Sequence, residues 1–253
     1  MKKMVRHGVF AVADTVIMER VFVEIGVVIV AAGSGKRMGA DRNKLWLSLG
    51  GKPILSYAVE MFTTHTKISE VVLVVSQQDE QDVRAWLQET AYPVKVTLGG
   101  AERQDSVRLG MAALSENCTY VLVHDAARPF VTKEEIDAII GQVLVDQAAI
   151  MAVPVKDTIK VVGPAGTVET TPERESLWAV QTPQAFRLSL LQEAHEVALA
   201  AGKLGTDDAM LVEWIGHPVK VVRGSYENIK VTTPDDLWTG EEIIRRRRRE
   251  MQR

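Results

Sequence analysis

The residues best placed to do chemistry lie in one loop, Ala31-Ala32-Gly33-Ser34-Gly35-Lys36-Arg37-Met38, followed seven positions beyond Arg37 by Lys44. Glycines straight after a strand let the backbone approach a phosphate, and the N–H groups of the following turn point at the anion. Three loop families share that logic. A dinucleotide fingerprint needs G-x-G-x-x-G, but Met38 stands at the third glycine and Ser76, not an acid, closes the second strand. A Walker loop needs G-x-x-x-x-G-K-[ST], but Val30 and Arg37 stand at its first glycine and its hydroxyl. What remains is a backbone nest beside two cations. Arg37 can clamp phosphate oxygens in a fork, and Lys44 is a mobile point charge. That combination suits a nucleoside triphosphate under attack. The bland alternative is a structural turn with solvated charges.

Further blocks carry polar groups at strand ends. Gly99-Gly100 with Arg103 and Ser106 stands between a strand and a helix, where backbone groups and a hydroxyl could read a pyrimidine edge. A plain turn with Ser106 facing solvent is the alternative. His124-Asp125-Ala-Ala-Arg128-Pro129 follows an apolar strand, which puts Asp125 at the mouth of the sheet. Asp125 can serve a triphosphate-bound Mg²⁺ or ligand hydroxyls, and both readings stay open. His124 has no partners at metal-ligand spacing and is read as structural.

These residues need elements to position them. Gly26–Ala31, Val71–Val75, Val94–Thr97, Tyr120–Val123 and Ile150–Val153 are apolar runs of the kind buried on both faces of a parallel sheet. Helical patterns fall between them, at about Pro53–His65, Asp79–Glu89, Gln104–Leu114 and Lys133–Asp146. Pro53 is read as a first-turn proline and Thr132 as an N-cap. The alternation predicts a doubly wound, mostly parallel, three-layer α/β fold. Residues 157–172 interrupt it as a β-hairpin arm around Gly163-Pro-Ala-Gly166. A lone hairpin is barely stable, so the arm must pack on something, and a second subunit is a candidate. Helices at Leu188–Ala201, Asp207–Trp214 and Pro234–Arg249 and a strand at Val219–Val222 complete the reading.

Taken together, the blocks resemble the 2-C-methyl-D-erythritol 4-phosphate cytidylyltransferases of the non-mevalonate isoprenoid pathway, from about Glu24 to Trp238. The glycine loop with Asn43-Lys44 is similar to the signature of sugar-phosphate nucleotidyltransferases in general. The Gly99–Ser106 and Val123–Pro129 blocks, Pro154–Thr158, Trp178–Gln184, Thr206–Ala209 and Asn228–Thr232 narrow it. The resemblance implies a Rossmann-like sheet of the nucleotide-diphospho-sugar transferase type, a reaction of CTP with a polyol phosphate, Mg²⁺ and a homodimer embraced by the arm. It implies Arg37 and Lys44 as catalytic residues and Arg174 and Lys230 as holders of the attacking phosphate. CTP would be bound by Ala31, Ala32, Gly33, Gly35, Gly100, Ser106 and Asp125. The sugar phosphate would meet Arg128, Thr158, Thr182, Thr206, Asp207 and Thr232. Rival readings are a ribitol 5-phosphate cytidylyltransferase and a non-catalytic nucleotide-binding regulator.

Composition sets the outer limits. The 253 residues are 46% apolar and 25% charged, and the net charge of −3 gives no field to draw nucleic acid. No run approaches the length of a membrane span. One cysteine, Cys118, fits a reducing cytosol. Residues 1–24 read as an extension with Met18 as an alternative start, 25–240 as one domain, and 241–253 as a basic helix end. The arginines there complement a helix dipole rather than form a nucleic-acid patch.

Overall fold

The computed structural model describes residues 23–33 and 43–252. The first apolar run forms strand β1 (Glu24–Val30), its five central residues all buried. A small ribbon, β2 (Ser48–Leu49) with β3 (Lys52–Pro53), and helix α1 (Ile54–Thr63) lead to β4 (Glu70–Val75) beside β1. Helix α2 (Glu80–Thr90) then leads to β5 (Val94–Leu98) at the sheet edge. Helix α3 (Arg103–Ala112) takes the chain back across the sheet to β6 (Cys118–Asp125), on the other side of β1. That reversal creates the crevice in which open α/β sheets bind ligands. Val30 and Asp125 are register partners, so the glycine loop and the acid leave the sheet at the same level.

Helix α4 (Lys133–Asp146) and β7 (Ala148–Pro154) follow, then the arm strands β8 (Val161–Val162) and β9 (Val168–Thr170). Strand β10 (Trp178–Arg187), helices α5 (Leu188–Ala200) and α6 (Asp208–Trp214), β11 (Lys220–Arg223) and α7 (Pro234–Met251) complete the chain. The seven-stranded order is β11-β7-β10-β6-β1-β4-β5. Every neighbouring pair is parallel except the two that β10 makes.

The sheet is buried on both faces because alternate residues pack in opposite directions. Ile25, Val27 and Ile29 join the core built with α1, α2, α4 and α7, whereas Val28, Val72 and Val74 join α3, α5 and α6. Gly110 of α3 permits close contact, since a Cβ there would lie 2.4 Å from Val28. Thr132 caps α4 through a reciprocal pair with Glu135.

Strand β10 is where the sequence reading needs most correction, since no strand was expected there. Its proline argues against a central strand. The chain accommodates it because Gln181–Pro183 fall outside the registered pairs with either neighbour. Pro53 is corrected to the N-cap of α1, one residue before the first turn, and Pro234 is the first-turn proline. The arm is paired only at Val161–Val162 and Val168–Thr170, shorter than the expected hairpin. No helix among the described residues is long and apolar enough to cross a membrane. The arginine run is spent on the protein itself. Arg246 and Arg247 pair with Glu227, Arg247 also donates to the Phe130 carbonyl, and Arg248 donates to that of Gly50.

Candidate active site

A cavity of about 490 Å³ opens over the C-terminal ends of β1 and β6. One wall is the strand-to-helix turn after β5. A Cβ on Gly99 would lie 2.5 Å from Ala32 Cβ and 2.6 Å from Ser106 Oγ, so only glycine lets this turn close on the loop. Ser106 is buried; its hydroxyl donates to the Glu102 carbonyl at 3.1 Å and accepts from the Gly100 N–H at 3.2 Å. The solvent-facing alternative for Ser106 is thereby excluded, and the hydroxyl shapes the turn.

The rest of the lining is largely ionic. Asp125 Oδ2 accepts from Lys230 Nζ at 2.6 Å, and Oδ1 accepts from Arg103 Nε at 3.2 Å. Arg103 continues to Asp208, donating from Nη1 to Oδ2 at 2.7 Å, and the other Asp208 oxygen faces His195 Nε2 at 3.4 Å. Burial alone would raise the Asp125 carboxyl, but Arg103 and Lys230 outweigh it and hold the group well below the usual carboxylate range. Burial likewise opposes ionisation of Asp208, and Arg103 again prevails. Arg103, answered by two carboxylates, is held above its ordinary value despite its own burial. The row Asp125–Arg103–Asp208 is therefore ionised throughout.

Lys44 opens a 3-10 turn, Lys44–Trp46, and donates from Nζ to the Val231 carbonyl at 2.9 Å. Val231 follows Lys230 directly, so the two lysines meet on one loop. That loop is fixed from below. Val231 N–H donates to the Ala127 carbonyl, and buried Asn228 donates to the Thr182 carbonyl.

The cavity lies at the switch point of the sheet, walled by a glycine turn and by lysines, where open α/β folds bind ligands. The family model described as 2-C-methyl-D-erythritol 4-phosphate cytidylyltransferase matches residues 25–246. The chain belongs to this cytidylyltransferase family. It is 48% identical over 229 residues to the 2-C-methyl-D-erythritol 4-phosphate cytidylyltransferase of Alkaliphilus metalliredigens, covering 89% of this chain and 95% of that one. The namesake from Halalkalibacterium halodurans is also 48% identical, over 89% of this chain and 99% of its own. Among solved structures, the 4-diphosphocytidyl-2C-methyl-D-erythritol synthase of Anaerococcus prevotii superposes with a TM-score of 0.80 at 32% identity, covering 88% and 97%. The Thermus thermophilus cytidylyltransferase gives 0.74 at 32%, covering 88% and 100%.

Of the residues expected in such a cytidylyltransferase site, Ala31, Ala32, Gly33, Lys44, Gly100, Ser106, Asp125, Lys230 and Thr232 line the cavity. Gly35 and Arg37 lie outside the described residues. The others take different positions. Arg128 donates to the carbonyls of Asn228 and Val180, bracing the Lys230 loop against β10. The Thr182 hydroxyl points inward, accepting from the Asp125 N–H and meeting His124 Nδ1. His124 is fully buried, with Nε2 on the Arg128 carbonyl, in keeping with a structural role. Burial pushes its imidazole down to about 4. Asp207 caps α6 and accepts from Gln184, and exposed Thr206 donates to Met210 Sδ. Thr158 and Arg174 are exposed beside the arm, where Arg174 donates to the Lys156 carbonyl.

Sequence reasoning gave no site role to Arg103, Asp208, His195 or Gln184. Arg103 and Asp208 stood inside recognised blocks, but a pairing across 105 positions leaves no trace in spacing. Gln184 accepts from both the Asp208 and the Ala209 N–H, fastening α6 to β10.

Proposed function

We propose that the chain transfers CMP from CTP to 2-C-methyl-D-erythritol 4-phosphate, giving 4-diphosphocytidyl-2-C-methyl-D-erythritol and pyrophosphate in isoprenoid precursor synthesis. The observation that carries this reading is one cavity at the switch point lined by Lys44, which reaches the Val231 carbonyl, and by Lys230, which pairs with Asp125. A phosphate oxygen of the polyol attacks the α-phosphorus in line. The bond to the bridging oxygen breaks, and pyrophosphate leaves with its electron pair. The attacking phosphate needs no base, so the protein's work is to bring two anions together and stabilise the five-coordinate transition state. Lys44, with Arg37, supplies that stabilisation. Lys230, with Arg174 of a second subunit, holds the incoming phosphate. Gly100 and Ser106 read the base against Ala31, and Ala32, Gly33 and Gly35 cradle the phosphates. Thr158, Thr206, Asp207 and Thr232 complete the polyol side, while Arg128 and Thr182 support it from behind.

The described residues hold no cluster of three or more His, Cys, Asp or Glu side chains able to bind a metal. A triphosphate-borne Mg²⁺ needs only one or two carboxylates from the protein, and Asp125 at the strand mouth fits that mode. Such an ion would neutralise charge on the triphosphate and on the departing pyrophosphate.

Homodimerisation is part of the proposal. The arm exposes Ile159, Val161, Val162 and Val168, apolar side chains that a partner subunit would cover. The lone cysteine is buried and suits a cytoplasmic location. Incubation with α-³²P-labelled CTP tests the reaction: label must pass to a cytidine diphosphate polyol when 2-C-methyl-D-erythritol 4-phosphate is supplied. Label remaining in CTP with that acceptor would refute the reading.

A further inference from the structure

Asp79 stands at the N-cap of α2, where an aspartate ordinarily accepts from the first N–H groups of its own helix. Here it makes no such bond. Its Oδ2 instead accepts from Ser76 Oγ at 2.5 Å and from Asn43 Nδ2 at 2.7 Å. Asn43 also donates from Nδ2 to the Gly33 carbonyl at 3.2 Å, while its Oδ1 accepts from the Leu45 N–H at 3.1 Å. One amide therefore ties together the N-terminus of α2, the entry to the glycine loop and the 3-10 turn that begins at Lys44. The donors make the tie to Gly33 and Asp79, and the acceptor merely caps the turn.

We infer that Asn43 and Asp79 are positioning residues for the transfer reaction, holding Lys44 at a set distance from the phosphate-binding loop. This rests on the catalytic role proposed above for Lys44. The structure separates the two functions of the amide. Asn43→Asp keeps an oxygen to cap Leu45 but removes both donors and sets a second carboxylate against Asp79. Asp79→Ala removes the anchor and leaves Asn43 in place.

The test is a double-mutant cycle on the full chain, with Asn43→Asp and Asp79→Ala each made alone and together with Lys44→Ala. Pyrophosphate release gives kcat and KM, and thermal unfolding reports folding. Each single variant is expected to lower kcat by about 10- to 100-fold, the cost of a small misplacement of a reacting group. KM for CTP and the unfolding midpoint should stay near wild type. In the Lys44→Ala background neither substitution should lower kcat further. Equal losses in both backgrounds would show action independent of Lys44 and overturn the inference, as would wild-type kcat in both single variants. Wild-type kcat in Lys44→Ala itself would remove the underlying reading and the inference with it, a result distinct from the other two.

Discussion

Arg103 donates to Asp208 at 2.7 Å across 105 positions of sequence, and through that contact α6 reaches the carboxylate at the end of β6. Asp208 is 1% exposed, so its charge is stable chiefly because Arg103 answers it. Asp208→Asn should leave Arg103 half-answered, with Asp125 as its remaining partner, and cost about 1–3 kcal/mol, the usual penalty for weakening a buried charged hydrogen bond. Urea unfolding at pH 7.5 checks this. A loss below about 1 kcal/mol would mean that the pair is dispensable.

Lys44→Ala should lower kcat by roughly two to three orders of magnitude with a modest change in CTP affinity. That is the signature of losing one preorganised group that acts on the transition state. Steady-state pyrophosphate release measures the first, and calorimetry with CTP alone measures the second.

His124 gives stability a dependence on pH. Its buried imidazole sits at about 4, below the ordinary 6.5 of an unfolded chain. Between these values the unfolded state binds a proton that the folded state refuses, so stability falls as pH drops from about 6.5 to about 4. At about 1.4 kcal/mol per pH unit the loss reaches about 3 kcal/mol. His65 is lowered for the same reason and adds in the same direction. Urea midpoints at pH 7.5 and 4.5 should diverge in the wild type, and less so in His124→Gln. Equal divergence in both proteins would exclude His124 as the source.

Arg174→Ala should raise KM for the polyol phosphate by about tenfold, the worth of one charge-assisted hydrogen bond, and leave KM for CTP alone. If the residue acts across a dimer, mixed dimers with a Lys44→Ala subunit should recover one fully competent site. An unchanged KM for the polyol phosphate would assign Arg174 to the surface.

Much of this was legible in the residues because local physics matched the fold. Val71–Val75 and Tyr120–Val123 are apolar on both faces, and only a covered parallel sheet satisfies that. Thr132, read as an N-cap, marked the start of α4 to the residue. Strand β10 was hidden because its pairing depends on a register shift around Pro183, which is a property of the neighbours and not of the segment. The roles of Thr182 and Arg128 were hidden for a related reason. A hydroxyl or guanidinium reads the same in sequence whether it faces a ligand or, as here, the backbone of an adjoining loop.

The most direct test is pyrophosphate release from CTP and Mg²⁺ with 2-C-methyl-D-erythritol 4-phosphate or ribitol 5-phosphate as acceptor, compared as kcat/KM. A strong preference for 2-C-methyl-D-erythritol 4-phosphate is the expected result. Release only with ribitol 5-phosphate, or CTP binding without release from either, would contradict it.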